Sequence, residues 1–328
     1  MDHKVVITGI GVILPGTDTL DALRAAQAPG RTHVRQLSSG LTGSEIDESI
    51  MEGRLPGRLS KKLDAFTRYA LVATESALSD ARLDLGTVDR DRCGVFVGNS
   101  FGGWVFTEEQ LRNLHCDGPR AVSPFQATSW FPAAPQGQIT ILHGIKGRSK
   151  TYMADRASSL LSVGSAASLN RRGDLDVAIA GGTESTNTDF VRLALASIAA
   201  NASPESANAF AVTEGAVFLV LESRQHAVRR GARIYAEVGG FATRNSPCEA
   251  DRYSTDPGAV TRAMRQVCGD TRPDLIMLDA CGLSESDEAE TQAIRDVFGA
   301  IAVSAPKARY GHAFGAEGAL DIAYACLA

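Results

Sequence analysis

The chain is predicted to be an α/β protein, because short apolar runs rich in β-branched residues alternate with longer stretches of helical period. Strands are expected over Val5–Thr8, Gly94–Gly98, Val177–Ala180, Val217–Leu221, Ile234–Gly239, Leu275–Leu278 and Ala302–Ser304. Each is short and apolar, as strands covered on both faces are. The first lies in the apolar start Val5–Leu14, where interrupting glycines and β-branched residues suit a strand better than a signal-peptide core. Helices are expected over Ser60–Ala81, Thr107–Leu114, Ala157–Asn170, Gly258–Val267 and Ser286–Val297. In the first of these, Ala65, Tyr69, Val72, Ala73 and Ala77 share a face at helical spacing.

Composition narrows the class. With 328 residues, 44% of them hydrophobic and 22% charged, the chain has ample material for a buried core. A net charge of −5 argues against nucleic acid as a default partner. Six cysteines (93, 116, 248, 268, 281 and 326) form no C-x-x-C pair and do not cluster with histidine, so no zinc site is expected. Scattered thiols in a chain of this size point to a reducing compartment, and the cytoplasm is the expected location. The basic stretch Val228–Arg233 reads as an exposed connection, which divides the chain into halves at 1–230 and 231–328.

Several segments then resemble, in order and over nearly the whole chain, those of β-ketoacyl synthases. They are Val5–Val12, Lys62–Ala70, Ala180–Glu184, Glu214–Glu222 and Pro306–His312. The resemblance implies a thiolase-like fold of two similar halves in five α-β-α-β-α layers. It also implies a second half that is incomplete relative to the family, since the chain stops at Leu327-Ala328. A second half lacking its last strands should expose a sheet edge. The loop Asn201–Thr213 is shorter than its ketosynthase counterpart and lacks the usual Pro-Phe-Asp segment.

In Tyr152–Ala166, which resembles the strand-to-helix turn bearing the family's thiol, Arg156 stands where the cysteine nucleophile is expected. A guanidinium stays protonated and has no lone pair with which to attack. Within the family the chain is most similar to the chain-length factors, the β subunits of type II polyketide ketosynthases, on Gly102–Leu114, Gly118–Ser123 and Gly137–Gly144. Asp279, in Leu278–Leu283, replaces the first histidine, whereas Lys307 and His312 match the lysine and the second histidine. The resemblance therefore implies a vestigial site of Arg156, Asp279, Lys307 and His312, with no intact catalytic set.

It further implies a non-extending subunit that pairs with a cysteine-bearing ketosynthase and works on malonyl units carried by acyl carrier protein and its phosphopantetheine arm. No cofactor of its own is implied. Trp104, Thr107 and Leu111 fall on one helical face, and by resemblance line the channel that limits chain length. Arg156 at a helix start faces an unfavourable dipole, so either an ion pair with Asp279 fills the vacated site or the side chain points to solvent or to the partner interface.

A different chemistry is also written in the sequence. Gly98–Gly102 fits G-x-S-x-G after a strand, and Ser100, Asp279 and His312 occur in the order of a serine hydrolase triad. Gly9-Ile-Gly11 lacks a properly placed third glycine and reads as a structural turn. Cys281, His115 and His143 read as core or loop residues.

Overall fold

The computed structural model describes residues 4–26, 32–37, 41–201, 211–248 and 253–328. The loop read from Asn201 to Thr213 falls mostly outside them. The chain begins with β1 (Val5–Ile13), α1 (Leu20–Ala26), β2 (Arg35–Gln36), β3 (Thr42–Gly43), α2 (Ala65–Asp80) and β4 (Cys93–Gly98). It continues through α3 (Trp104–Asp117), α4 (Ala134–His143), β5 (Lys150–Tyr152), α5 (Ser158–Arg172), β6 (Val177–Glu184) and α6 (Asp189–Asn201). The remainder comprises β7 (Ala211–Val212), β8 (Gly215–Ser223), α7 (Arg224–Arg229), β9 (Ala236–Glu237) and α8 (Gly258–Cys268), then β10 (Leu275–Met277), α9 (Ser284–Phe298), β11 (Ala302–Ser304) and α10 (Glu317–Leu327).

Six strands form the main sheet in the order β5-β4-β6-β8-β1-β9, parallel from β5 to β6 and antiparallel beyond. Every residue of β1, β4 and β6 is buried, because both faces of the sheet are covered. On one face, Tyr69, Ala73 and Ala77 of α2 pack on Val95, Ile179 and Phe218. On the other, Val163 and Ala166 of α5 and Ala319 and Leu320 of α10 pack on Phe96 and Leu219. Beyond that layer lies the parallel pair β10–β11, whose Met277 reaches the second cluster. Its far side meets α9, where Leu278, Ile294 and Val303 line a cavity of about 520 Å³. The order is helix, sheet, helix, sheet, helix.

The two stacked sheets are unequal, with six strands and two. Among the described residues β10 and β11 pair only with each other, and Leu275 and Val303 remain exposed. The segment after residue 230 first contributes β9 to the main sheet, against Val6 and Ile7 of β1. The basic connection is exposed but anchored, since Arg230 donates to the Ala81 carbonyl at 2.9 Å and to the buried Glu222 carboxylate.

Local boundaries differ from expectation for identifiable reasons. The helix read from Ser60 breaks, because Asp64 takes extended backbone angles and caps α2 from outside it. The Gly9-Ile-Gly11 stretch lies inside β1 and forms no turn. A Cβ at Gly9 or Gly11 would come within 2.3 Å of the Ala77 oxygen or 1.9 Å of the Ala73 oxygen, so these glycines let α2 lie directly on the strand. No helix among the described residues is long and apolar enough to cross a membrane.

Candidate functional site

Arg156 sits in a single 3-10 turn, Asp155–Ala157, that leads from β5 into α5. Its guanidinium is a positive charge at the positive end of a helix, so it needs acidic company. The structure supplies it from the chain's second half. Nη1 donates to Oδ2 of Asp279, Nη2 donates to Ser286 Oγ at 3.2 Å, and the guanidinium lies 4.1 Å from the Tyr253 ring centroid. Burial and the neighbouring Asp155 carboxylate hold the Tyr253 hydroxyl in its protonated form. The Arg156–Asp279 contact expected from the sequence is present.

His312 occupies the other oxygen of Asp279. The Phe314 N–H donates to His312 Nδ1 at 2.9 Å, which makes that nitrogen the acceptor and leaves Nε2 to carry the proton. Nε2 then donates to Asp279 Oδ1 at 3.0 Å. Burial works against ionisation of Asp279, but the His312 hydrogen bond and the charges of Arg156 and Lys307 outweigh it. The carboxyl is held well below the usual carboxylate range.

Lys307 does not face an open site. Its ammonium donates to the Leu278 carbonyl at 2.6 Å and to Asp321 at 3.1 Å, with Glu317 at 3.2 Å. It ties the Asp279 turn to α10. The same turn is held from α9, where Glu290 accepts the N–H groups of Asp279 and Ala280 at 2.8 and 3.1 Å. Asp287 accepts those of Cys281 and Gly282, each at 3.0 Å. Burial pushes the Cys281 thiol up to about 12, so it is no thiolate.

Three turns that meet here each carry a non-glycine residue in the left-handed region: Asp155 (φ 49°), Ala280 (φ 38°) and Phe314 (φ 42°). Each costs on the order of 1 kcal/mol. These three strained turns frame an ion pair. No side chain in it is free to act as nucleophile or base.

The serine triad does not form. The Ser100 N–H donates to Glu184 at 2.7 Å, but its hydroxyl is buried without a hydrogen-bond partner. His312 has no ring nitrogen left for it, since one meets Asp279 and the other Phe314. Among the described residues no group of histidine, cysteine and carboxylate side chains has the arrangement to hold a metal.

The expected channel residues lie on α3. Trp104 stacks on Phe190 of α6, with ring centroids 4.1 Å apart and planes 19° apart, and it packs on a cluster that includes Phe314 and Cys281. Thr107 Oγ1 donates to the Gly103 carbonyl at 2.6 Å and accepts from Gln126 Nε2 at 3.1 Å. Leu111 is exposed. Packed apolar side chains thus link the surroundings of the Arg156–Asp279 pair to the α3–α6 surface. Phe190 and Tyr253 carry no sequence signal, whereas Glu184 ends the recognisable segment Ala180–Glu184.

Glu184 joins the loops that frame the site, accepting from the N–H groups of Ser100, Phe101 and Gly315. Burial pushes its carboxyl up to about 8, and pushes those of Asp64 and Glu214 up to about 7. Acids raised in the folded state bind more protons there than when unfolded. Their contribution to stability is therefore complete at low pH and is lost as pH rises to about 8. The melting temperature is expected to fall by roughly 5 °C between pH 6 and pH 8.5. A flat or rising profile in calorimetry would contradict this.

Comparison with known proteins gives the same frame. The family model described as beta-ketoacyl synthase, N-terminal domain, matches residues 2–227, and that for the C-terminal domain matches residues 235–328. The chain is 32% identical to 3-oxoacyl-[acyl-carrier-protein] synthase 2 of Staphylococcus aureus, over 99% of this chain and 85% of that protein. It is 30% identical to the tetracenomycin polyketide synthase ketoacyl synthase beta subunit of Streptomyces glaucescens, over 98% and 85%. Among solved structures it resembles a type II polyketide ketosynthase bound to its acyl-carrier protein and a hexaketide, with a TM-score of 0.81 and 27% identity over 99% of this chain and 91% of that one. The chain belongs to the beta-ketoacyl synthase family and has its thiolase-like fold.

Proposed function

We propose that the chain is the non-extending, chain-length-factor subunit of a type II polyketide ketosynthase. It pairs with a cysteine-bearing ketosynthase and shapes the channel that limits a polyketide or polyene chain. One observation carries the reading: Arg156, which by resemblance stands where the family's nucleophile is expected, is bound to Asp279, which stands where the first histidine is expected. A condensing site needs a thiolate and acid–base partners, and here the charge is already spent on an internal pair. The partner would supply the cysteine and histidines, and acyl carrier protein would deliver malonyl units on phosphopantetheine. A named beta subunit among the relatives and an acyl-carrier-protein complex among the similar structures support those partners. The two family segments support a division into halves near residue 230.

The test is co-expression with a cysteine-bearing type II ketosynthase, native mass spectrometry of the complex, and analysis of its products. A one-to-one heterodimer is expected, with no condensation by this chain alone. In that complex Trp104→Ala should shift the main product to greater length, because it removes an indole that stands on Phe190 at one end of the apolar path. Unchanged product length in an intact complex would refute the channel role.

A further inference from the structure

Helix α3, which carries Trp104, has no cap of its own. Its N-cap is Gly103, which has no side chain to accept from the first turn. It has no room for one either, since a Cβ there would lie 2.1 Å from the Ser129 carbonyl oxygen. The first turn is half-buried against the protein, and its N–H groups require acceptors. The acceptor comes from another element. Asp64, 1% exposed, accepts from the Phe66 N–H through Oδ1 at 3.2 Å, as the N-cap of α2. Its second oxygen accepts from the Phe106 N–H of α3 at 2.6 Å.

One carboxylate therefore caps two helices. A second tie runs alongside it, with Ser129 Oγ donating to the Lys62 carbonyl at 2.7 Å. The helix that Asp64 begins is the one seated on the central sheet by Gly9 and Gly11. The helix it reaches across to is the one that holds Trp104 against Phe190. Nearby Arg68 is engaged with Glu48 at 2.6 and 3.1 Å, which leaves the Phe106 N–H as the tertiary partner of the Asp64 carboxylate.

We propose that Asp64 is a positioning residue for the channel: it fixes where α3 begins, and through that the place of the Trp104 indole. The proposal rests on the chain-length-factor reading. Asp64→Ser separates its two tasks, because serine caps its own helix about as well as aspartate but is too short to reach Phe106. Hydrogen exchange on the full chain should show the Phe106 amide and its neighbours exchanging roughly tenfold faster, with the first turn of α2 still protected. In the complex, the product should spread from one length to neighbouring lengths while assembly persists. Asp64→Asn, which keeps the volume but has only one acceptor oxygen, should show the same effects more weakly.

Wild-type exchange at Phe106 in both variants would overturn the proposal. So would an unchanged product under Asp64→Ser when Trp104→Ala does alter it. If neither variant alters the product, it is the channel reading that fails, and the exchange result alone then decides whether Asp64 caps α3.

Discussion

Arg156→Ala is expected to destabilise the chain by about 2–3 kcal/mol, somewhat less than the roughly 3–5 kcal/mol that removing one partner of a fully buried ion pair costs. The arginine side chain is 17% exposed, and it spans the two halves through Asp279, Ser286 and Tyr253. Without it, Asp279 keeps His312 but loses its nearest cation, beneath a helix end whose N–H groups only partly compensate. The loss stops short of the full penalty because the Asp279 side chain is 36% exposed and water reaches it.

A double-mutant cycle by denaturant unfolding gives the measurement. Asp279→Asn added to Arg156→Ala should cost less than the sum of the single changes, since the second change removes the charge that the first left stranded. Additive costs would mean that the pair contributes nothing as a pair. The cycle also separates two accounts of Arg156. A side chain kept as a strut shows strong coupling, whereas one that merely occupies a vacated position shows none.

The pair was legible in the sequence for a physical reason. The family resemblance placed both segments at one site, and the opposite charges at 156 and 279 then suggested the contact. Lys307 and His312 were legible as positions but not as contacts. Nothing in the spacing shows that Lys307 is spent on Leu278, Glu317 and Asp321, or that the His312 tautomer is fixed by the Phe314 N–H. Tyr253 lies far from either partner in sequence and in no periodic element, so its place over Arg156 depends on tertiary folding alone.

The strands were legible where they are buried on both faces, as in β4, β6 and β8, because continuous apolar runs have few other uses. At the sheet edge the reading contracted, from Ile234–Gly239 to the two residues of β9, since an edge strand needs no apolar alternation. Helices α4 and α6 escaped notice. The first carries Pro135 and Gly137, and the second begins after a run of threonines and asparagine, so local propensity hides what packing stabilises.

Leu193→Asp together with Ile141→Asp should abolish assembly with the proposed ketosynthase partner, raising the dissociation constant at least about a hundredfold. Leu193 on α6 and Ile141 on α4 are 72% and 74% exposed, though aliphatic residues of that size are usually buried. They are not isolated. Leu111 and Leu114 of α3, Trp130, Phe131, Leu142 and Phe190 are exposed as well. Helices α3 and α6 are joined by the Arg112–Asp189 ion pair at 3.0 Å and by the Phe190 N–H on Glu108 at 3.2 Å. So much apolar surface on neighbouring elements marks an interface more readily than a solvated face.

A carboxylate placed there costs nothing while the surface faces water, but loses its hydration when a partner covers it. The folded chain should therefore keep its melting temperature while the complex is lost. Val228→Asp is the control: another apolar-to-acid surface change, at a residue 61% exposed on a different helix, α7. It should leave the complex intact. Retention of the complex in the α4–α6 variant would move the interface elsewhere on the molecule. Loss in both, with a lower melting temperature, would mean that the acid acts through the fold and would refute the α4–α6 surface as the contact.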